Sequence, residues 1–435
     1  MQNLKIWNYI SLPWLGFTST FFLIFFFLAF FSKVDLTFLT NSYLKGLFLN
    51  TVILSFSSAL LSALIAVPLA ILITFYKFPG HNFFSWALSL SIAFPAYVYA
   101  FIFVGIFEYA SPISEFLRAL NISLPSIKNI YGATVIMSMA LFPYIFLLTK
   151  AQLSSVGVGI FKAAKSLGSN NLSAIRKVIL PSLWPAVIAG MALVIFETIS
   201  DFGGVSTLRV ETFTVGIYDA WFGYQSYFSA AKLAGYLLLF VFFIVFISKY
   251  FGANSNTLAS KTAENFEKIE LNKFNQYAFS VTCFLIFVLV FCIPIIQLLV
   301  WHFDNPSFNV SEILYLLFNS LILGVCAALF TVFFAMALSL SYKNNSYIRP
   351  FISISSSGYA VPGSVISAAL LIVFDFMFNT SITLYGVFGL ILCLSLRFMT
   401  PAFNYINASL ANISKSAENA LSTQPRNSYK AFRLF

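Results

Sequence analysis

Charge is what this chain has least of. Only 9% of its 435 residues are Asp, Glu, Lys or Arg, against about a quarter of an ordinary soluble domain. A fold whose whole surface faces water is excluded. Cysteine is scarce as well: Cys283, Cys292, Cys326 and Cys393 all lie in apolar stretches with no CxxC spacing. Neither a disulfide framework nor a zinc site is indicated. The GxxxxGK[ST] phosphate loop, the GxSxG nucleophile elbow and HExxH are all missing, so no catalytic residue is assigned and any ATP hydrolysis has to come from another protein. His81 and His302 stand alone, and two isolated histidines do not make a metal site. No cofactor is called for.

What is present is apolar bulk: 60% hydrophobic residues, 54 of them Phe, and a mean hydropathy of +0.90. These values predict an all-α polytopic membrane protein in contact with lipid, because helices satisfy their own backbone hydrogen bonds inside a bilayer. A span takes about 20 mostly apolar residues. Ten stretches qualify, at roughly 12–31, 47–75, 84–107, 131–149, 182–200, 229–248, 277–301, 314–340, 351–378 and 382–404. The first is too long for a cleaved signal peptide and has no small-x-small site near Ala29 to Ser32. It is expected to remain as an anchor.

With the N-terminus in the cytoplasm, 17 of the 24 basic residues fall on the inner side, six on the outer side, and Arg397 within a span. That bias sets the orientation. The net charge of +10 is thereby explained by topology, and no nucleic-acid partner is needed.

The chain repeats itself. LFLNTVILSF at 47–56 matches LLFNSLILGV at 316–325, with Asn50 opposite Asn319; SIAFPAYV at 91–98 matches SGYAVPGSV at 357–365, with Pro95 opposite Pro362; and Tyr131-Gly132 matches Tyr385-Gly386. The predicted organisation is a first repeat at 1–250 (core from about 47), a polar cytoplasmic linker at 251–276, and a second repeat at 277–435. On this reading two tandem six-helix repeats are expected, the second truncated, with ten of twelve spans present.

The cytoplasmic connection at 150–181 has a specific pattern. Ala163-Ala164 removes bulk from one helical face, Gly168 permits a sharp change of direction, and Pro181 suits the start of the next span. Leu172, Ile175 and Ile179 recur at helical spacing, with Arg176 and Lys177 on other faces. The spacing predicts two short helices meeting at a bend, the second amphipathic and docked on a cytoplasmic partner.

At Ala163, Ala164, Leu167, Gly168, Leu180 and Pro181 the chain resembles the permease subunits of ABC importers, whose coupling loop meets the ATPase; Lys162 departs from the Glu usual there. In the second copy, 416–435, Ala417 and Leu421 fit, whereas Glu418 and Ser422 replace the second Ala and the Gly. The segment 197–223 and Arg397-Phe398 are similar to the fused, two-copy ferric-iron permeases of that class. The resemblance implies a transport subunit, not itself an enzyme, in the bacterial inner (plasma) membrane. Its partners would be a cytoplasmic ABC ATPase dimer and a periplasmic substrate-binding protein, with lipid around it. Other cargoes of the class, such as thiamine, a polyamine or a phosphonate, are alternatives, and a gradient-driven secondary transporter is the alternative outside it.

Four residues are candidates for the translocation path. Glu197 and Asp201 stand four apart on one face of the fifth span, and carboxylate oxygens suit a hard cation. The competing reading makes Asp201 a shaper of the turn with Gly203 and Gly204 and leaves Glu197 a hydrated boundary charge. Pro95 and Pro362 are expected to kink the third and ninth helices, either freeing carbonyls toward a cavity or distorting the packing alone. No metal ligand is assigned, because a permease that releases its cargo needs a weak path rather than a tight site.

Overall fold

The computed structural model describes residues 2–31, 40–154, 158–252, 268–304, 309–356, 358–378 and 386–411. In chain order the helices are α1 (Gln2–Phe31), α2 (Asn41–Phe75), α3 (His81–Ala87), α4 (Ala96–Phe107), α5 (Pro112–Ala119), α6 (Ile130–Gln152), α7 (Val158–Ser166), α8 (Asn171–Ala174), α9 (Leu180–Ser200), α10 (Gly203–Thr207), α11 (Phe213–Tyr218), α12 (Tyr227–Gly252), α13 (Lys273–Phe287), α14 (Ile293–Asp304), α15 (Val310–Asn344), α16 (Arg349–Ser355), α17 (Gly363–Phe378) and α18 (Gly386–Ala411). Among the described residues the strands are β1 (Tyr76–Lys77) and β2 (Ile269–Glu270), paired in parallel.

By length and composition, eight helical segments are able to cross a membrane: Trp7–Phe31, Asn41–Phe75, Ala96–Ala119, Ile130–Gln152, Asn171–Ser200, Lys273–Asp304, Val310–Lys343 and Gly386–Asn407. The protein is an all-α polytopic membrane protein. The two other expected spans are helical but are not among these eight. The one at 229–248 falls in α12, with its apolar part at Phe228–Ile244, and the one at 351–378 is divided into α16, a 3₁₀ turn at Gly358–Ala360, and α17.

The third expected span is divided in the same way, into α3, a 3₁₀ turn at Leu90–Ala93, and α4. Pro95 and Pro362 therefore break their helices rather than kink them. Pro95 is the N-cap of α4, and its carbonyl accepts from the Val98 and Tyr99 amides at 2.9 and 3.3 Å. Pro362 accepts from the Ile366 amide at 3.0 Å in the matching place. A proline at the start of a helix loses nothing by having no N–H, and its fixed φ favours the first turn.

Contacts divide the chain into two units, Ser32–Asn309 and Met1–Phe31 with Val310–Phe435. In the first, α2, α6 and α9 form the core. Small and hydroxyl residues let the backbones approach, as they do in membrane bundles. A Cβ on Gly190 would stand 2.8 Å from Ile145 Cα. Ser138 Oγ donates to the Ser58 carbonyl at 3.2 Å, and the Ser57 and Thr134 hydroxyls are 2.9 Å apart. α13 and α14 cover α3 and α4 in this unit. The Phe83 and Phe287 rings pack at 5.3 Å, as do Phe101 and Trp301, and the Tyr99 hydroxyl donates to the Val290 carbonyl.

In the second unit α1 packs on α15, α16 and α17. Ser11 and Ser341 hydroxyls meet at 3.1 Å, Thr18 Oγ1 donates to Ser355 Oγ at 3.0 Å, and the Trp14 ring stacks on Phe334 at 5.1 Å. The helix that opens each half of the repeat thus lies in the unit built on the following helices of the other half.

Candidate functional site

The connection after α6 is built around one backbone conformation. Gly168 has φ +84, in the left-handed region, and donates its amide to the Lys165 carbonyl at 2.9 Å while the Ser169 amide reaches back to the Ala164 carbonyl at 3.1 Å. This is a helix C-terminus closed on glycine, where a side chain costs backbone strain. The Asn170 side chain then accepts from the Ser173 amide at 2.7 Å and starts α8. The bend predicted at Gly168 is present.

The junction with the next span differs from the sequence reading. Pro181 does not begin a helix: α8 continues through a π turn at Ile175–Ile179 into α9, and the helix is continuous over Asn171–Ser200. In the π turn the Leu180 amide donates to the Ile175 carbonyl. The wider turn falls just ahead of the residue that has no amide hydrogen and whose ring crowds the preceding turn. The amphipathic second helix is therefore the end of the span itself, with Ile175 and Ile179 buried and Arg176 and Lys177 exposed.

α7 is held from below: Phe161 is buried with its ring 4.9 Å from that of Phe75 at the end of α2, and Ala164 is buried. Ala163 is exposed. Leu167 and Leu172, on the two sides of the bend, are 87% and 74% exposed. Two large apolar side chains at the tip of a bent hairpin, among the bases Lys162, Lys165, Arg176 and Lys177, make a surface fitted for a partner. Ala417 and Leu421 lie outside the described residues.

Sequence reasoning missed two lysines that brace this end. Lys150 Nζ donates to the carbonyl and the hydroxyl of Ser85, 2.6 Å each, tying α6 to α3. Lys268 Nζ donates to the Ile73 carbonyl at 2.9 Å beside the β1–β2 pair. Burial, and then the Lys150 charge, push the Lys268 amine below its ordinary value. Lys150 closes an apolar run, whereas Lys268 lies in the polar linker with no local sign of this role.

Asp201 ends α9 as its C-cap in an extended conformation, so it does not share a helical face with Glu197. Its Oδ2 accepts from the Val205 amide at 3.1 Å at the start of α10, and its carbonyl accepts from Thr214 Oγ1 at 2.9 Å. Asp201 shapes the turn. Gly204 is needed beside it, because a Cβ there would lie 2.5 Å from the carboxylate. Glu197 is half-buried one turn earlier. No group of three His, Cys, Asp or Glu able to hold a metal occurs among the described residues.

The segment after α9 folds back on α2. Asn50 Nδ2 donates to the Glu211 carbonyl at 3.0 Å, and Thr51 Oγ1 accepts from the Phe213 amide at 3.0 Å. The repeat marked Asn50, but nothing in the sequence connected it with Glu211, 161 positions away. Asp219, near the same end, has its carboxyl pushed up by burial.

Residues 66–254 match the family model of the binding-protein-dependent transport system inner membrane component. The chain is 26% identical over 373 residues to the Fe(3+)-transport system permease protein FbpB 2 of Haemophilus influenzae, covering 84% of this chain and 70% of that one. It is 27% identical to the sulfate transport system permease protein CysT of Salmonella typhimurium, over 38% of this chain and 59% of that one. A putative 2-aminoethylphosphonate transport system permease protein, PhnU of Salmonella choleraesuis, is 25% identical over 40% of this chain and 65% of its own length. Residues 66–254 thus carry the inner-membrane component of a binding-protein-dependent, ABC-type transport system, and the chain is a multi-pass transport permease.

Proposed function

We propose that the chain forms the translocation path for ferric iron in an ATP-driven importer, with its N-terminus in the cytoplasm. Cytoplasmic ATPase subunits engage the hairpin at Val158–Ala174, and a periplasmic binding protein delivers the ion to the opposite side. The observation that carries the reading is the alignment to a ferric-iron permease over 84% of the chain, whereas the sulfate and phosphonate permeases align over 38% and 40%. The hairpin supports the coupling role, because Leu167 and Leu172 are its most exposed apolar side chains. Movement of α7 by a partner reaches α2 through the Phe161–Phe75 contact and α9 through the continuous helix from Asn171.

Uptake of radiolabelled ferric iron, against sulfate, aminoethylphosphonate, thiamine and a polyamine, in cells carrying the complete system tests the cargo. Iron uptake that fails while sulfate or phosphonate uptake appears gives the path to the other cargo. Uptake that survives ATP depletion but collapses with the proton gradient overturns the ATP-driven reading. Gly168→Val tests the coupling: no atom lies within 4 Å of a Cβ there, so the substitution acts only through φ, at a cost of about 1–2 kcal/mol. Co-purification of the ATPase and uptake are expected to fall together. Both unchanged would sink the assignment of the hairpin.

A further inference from the structure

A pocket of about 290 Å³ opens beside the end of the Ala96–Ala119 segment, its wall including Glu108, Tyr109, Ser114, Arg118, Ser126 and Lys128. α5 forms one side. Ser114 is 4% exposed, and its hydroxyl, buried in the wall, has no hydrogen-bond partner. Buried polar groups are normally satisfied, so an orphan lining a cavity marks a place for a ligand atom.

The charged groups around it are donors for the most part. Arg118 gives one N–H to the Tyr109 carbonyl and stacks 3.7 Å over the Tyr109 ring, which leaves the rest of its five-donor fork. Lys128 Nζ pairs with Glu108 Oε2 at 3.0 Å, and the Lys128 amide donates to Ser126 Oγ at 3.3 Å. Two cations face one carboxylate, and Glu115, on α5, is outside the lining. The pocket carries one net positive charge and several hydrogen-bond donors, which fits an acceptor-only anion.

The other face of α5 says where that anion comes from. Ile113, Phe116 and Leu120 are exposed at spacings of three and four, flanked by exposed Tyr109 and Ile122. This is an apolar stripe on the short helix that closes the Ala96–Ala119 segment, set off from α4 by the turn at 108–111, the pattern of a helix lying in the membrane surface. Such a helix would set its stripe against acyl chains and hold Ser114, Arg118 and Lys128 at the level of the headgroups.

We propose that the pocket binds a phosphate-bearing group, namely the headgroup of an anionic membrane phospholipid. The test uses the full-length protein in nanodiscs of phosphatidylcholine with and without phosphatidylglycerol, with retained lipid counted by native mass spectrometry. Wild type is expected to retain phosphatidylglycerol selectively, and Arg118→Gln with Lys128→Gln to lower that retention about tenfold. Glu108→Gln removes the only acid of the lining and is expected to raise retention about threefold, a gain that a misfolded protein would not show. Equal retention in all variants, or a loss in Glu108→Gln, overturns the proposal. Inorganic phosphate that protects the protein as well as the lipid does, with no lipid preference, assigns the pocket to a free ion and overturns the lipid source. A double variant that keeps its lipid but loses stimulation by the binding protein assigns the surface to a protein partner instead.

Discussion

α2 and α15 hold matching places in the repeat, each 35 residues long, with their ends 269 positions apart (41 against 310, 75 against 344). Their second halves are buried alike: Ala66 and Ala335 are both 0% exposed, and Leu69 and Leu338 are both buried. Their first halves are not. Leu47 is 0% exposed and Leu316 56%; Thr51 is buried and Ser320 exposed. The cover on α2 comes from α9 and from the segment around α11, which Asn50 and Thr51 grip at Glu211 and Phe213. Among the described residues of its own unit, α15 meets α1, α16 and α18. The same hydrophobic text yields a helix in both places, and what packs on that helix decides which of its side chains count as core.

The largest effect is expected from overpacking the covered position. Ser55 is 0% exposed and donates to the Thr51 carbonyl at 2.7 Å, so Ser55→Leu should cost about 1–3 kcal/mol. Gly324→Leu, at the matching place on α15, has nothing within 4 Å of its Cβ and should be neutral or stabilising by up to about 1 kcal/mol through helix propensity. Melting temperatures of the detergent-solubilised variants read the difference. Equal losses would mean that the exposed face of α15 is covered in the working protein.

A subtler pair sharpens the same contrast. Thr51→Val leaves the Phe213 amide without its acceptor in a buried setting, at about 1–3 kcal/mol. Ser320→Val, whose exposed hydroxyl donates to the Leu316 carbonyl of its own helix at 2.9 Å, should stay within about 0.5 kcal/mol. If the two shift the melting temperature equally, the hydrogen bonds to 211–213 do not hold the cover.

Smaller effects are expected at the other end of α2. The His81 imidazole is held below its usual value near 6.5 by burial, and then by the Lys268 charge. The unfolded chain therefore takes up the proton first, so the contribution of a neutral His81 is full above about pH 6.5 and is lost as the pH falls through and below that value. His81→Gln should flatten the acid side of a stability profile, and an unchanged profile would remove His81 from the account. The Lys77–Glu270 ion pair, 3.2 Å long with side chains 66% and 76% exposed, should give no measurable loss in Lys77→Ala, since exposed pairs contribute little.

Much of this was legible in the residues. Apolar runs about 20 residues long located the helices, because a bilayer leaves the backbone no other choice. The αL bend at Gly168 was legible because glycine alone takes that φ without cost. Pro95 and Pro362 announced an interruption, but whether a helix kinks or stops depends on what receives its neighbours. The 3₁₀ turn at Gly358–Ala360 lies so close to α18 that a Cβ on Gly358 would stand 1.9 Å from the Leu396 carbonyl. Pro181 was misjudged because a π turn, invisible in composition, carries the helix past it. Asn50 with Glu211, Lys150 with Ser85 and Lys268 with Ile73 join residues at least 65 positions apart, and no local pattern encodes such pairs.

By itself, the sequence determined that this is a helical membrane protein and that its hairpin turns at Gly168. Those outcomes follow from local physics: hydrophobic length, periodicity and backbone freedom. Only the tertiary structure decided that Asp201 ends α9 and accepts from the Val205 amide in the turn instead of sharing a face with Glu197, that α1 and α13–α14 pack with the other half's helices, and that half of α2 is core while half of α15 is not. Each of those depends on which distant surfaces meet, and in an apolar chain nearly every helix face is equally greasy, so hydrophobicity cannot choose among them. Shape and a few hydrogen bonds make that choice.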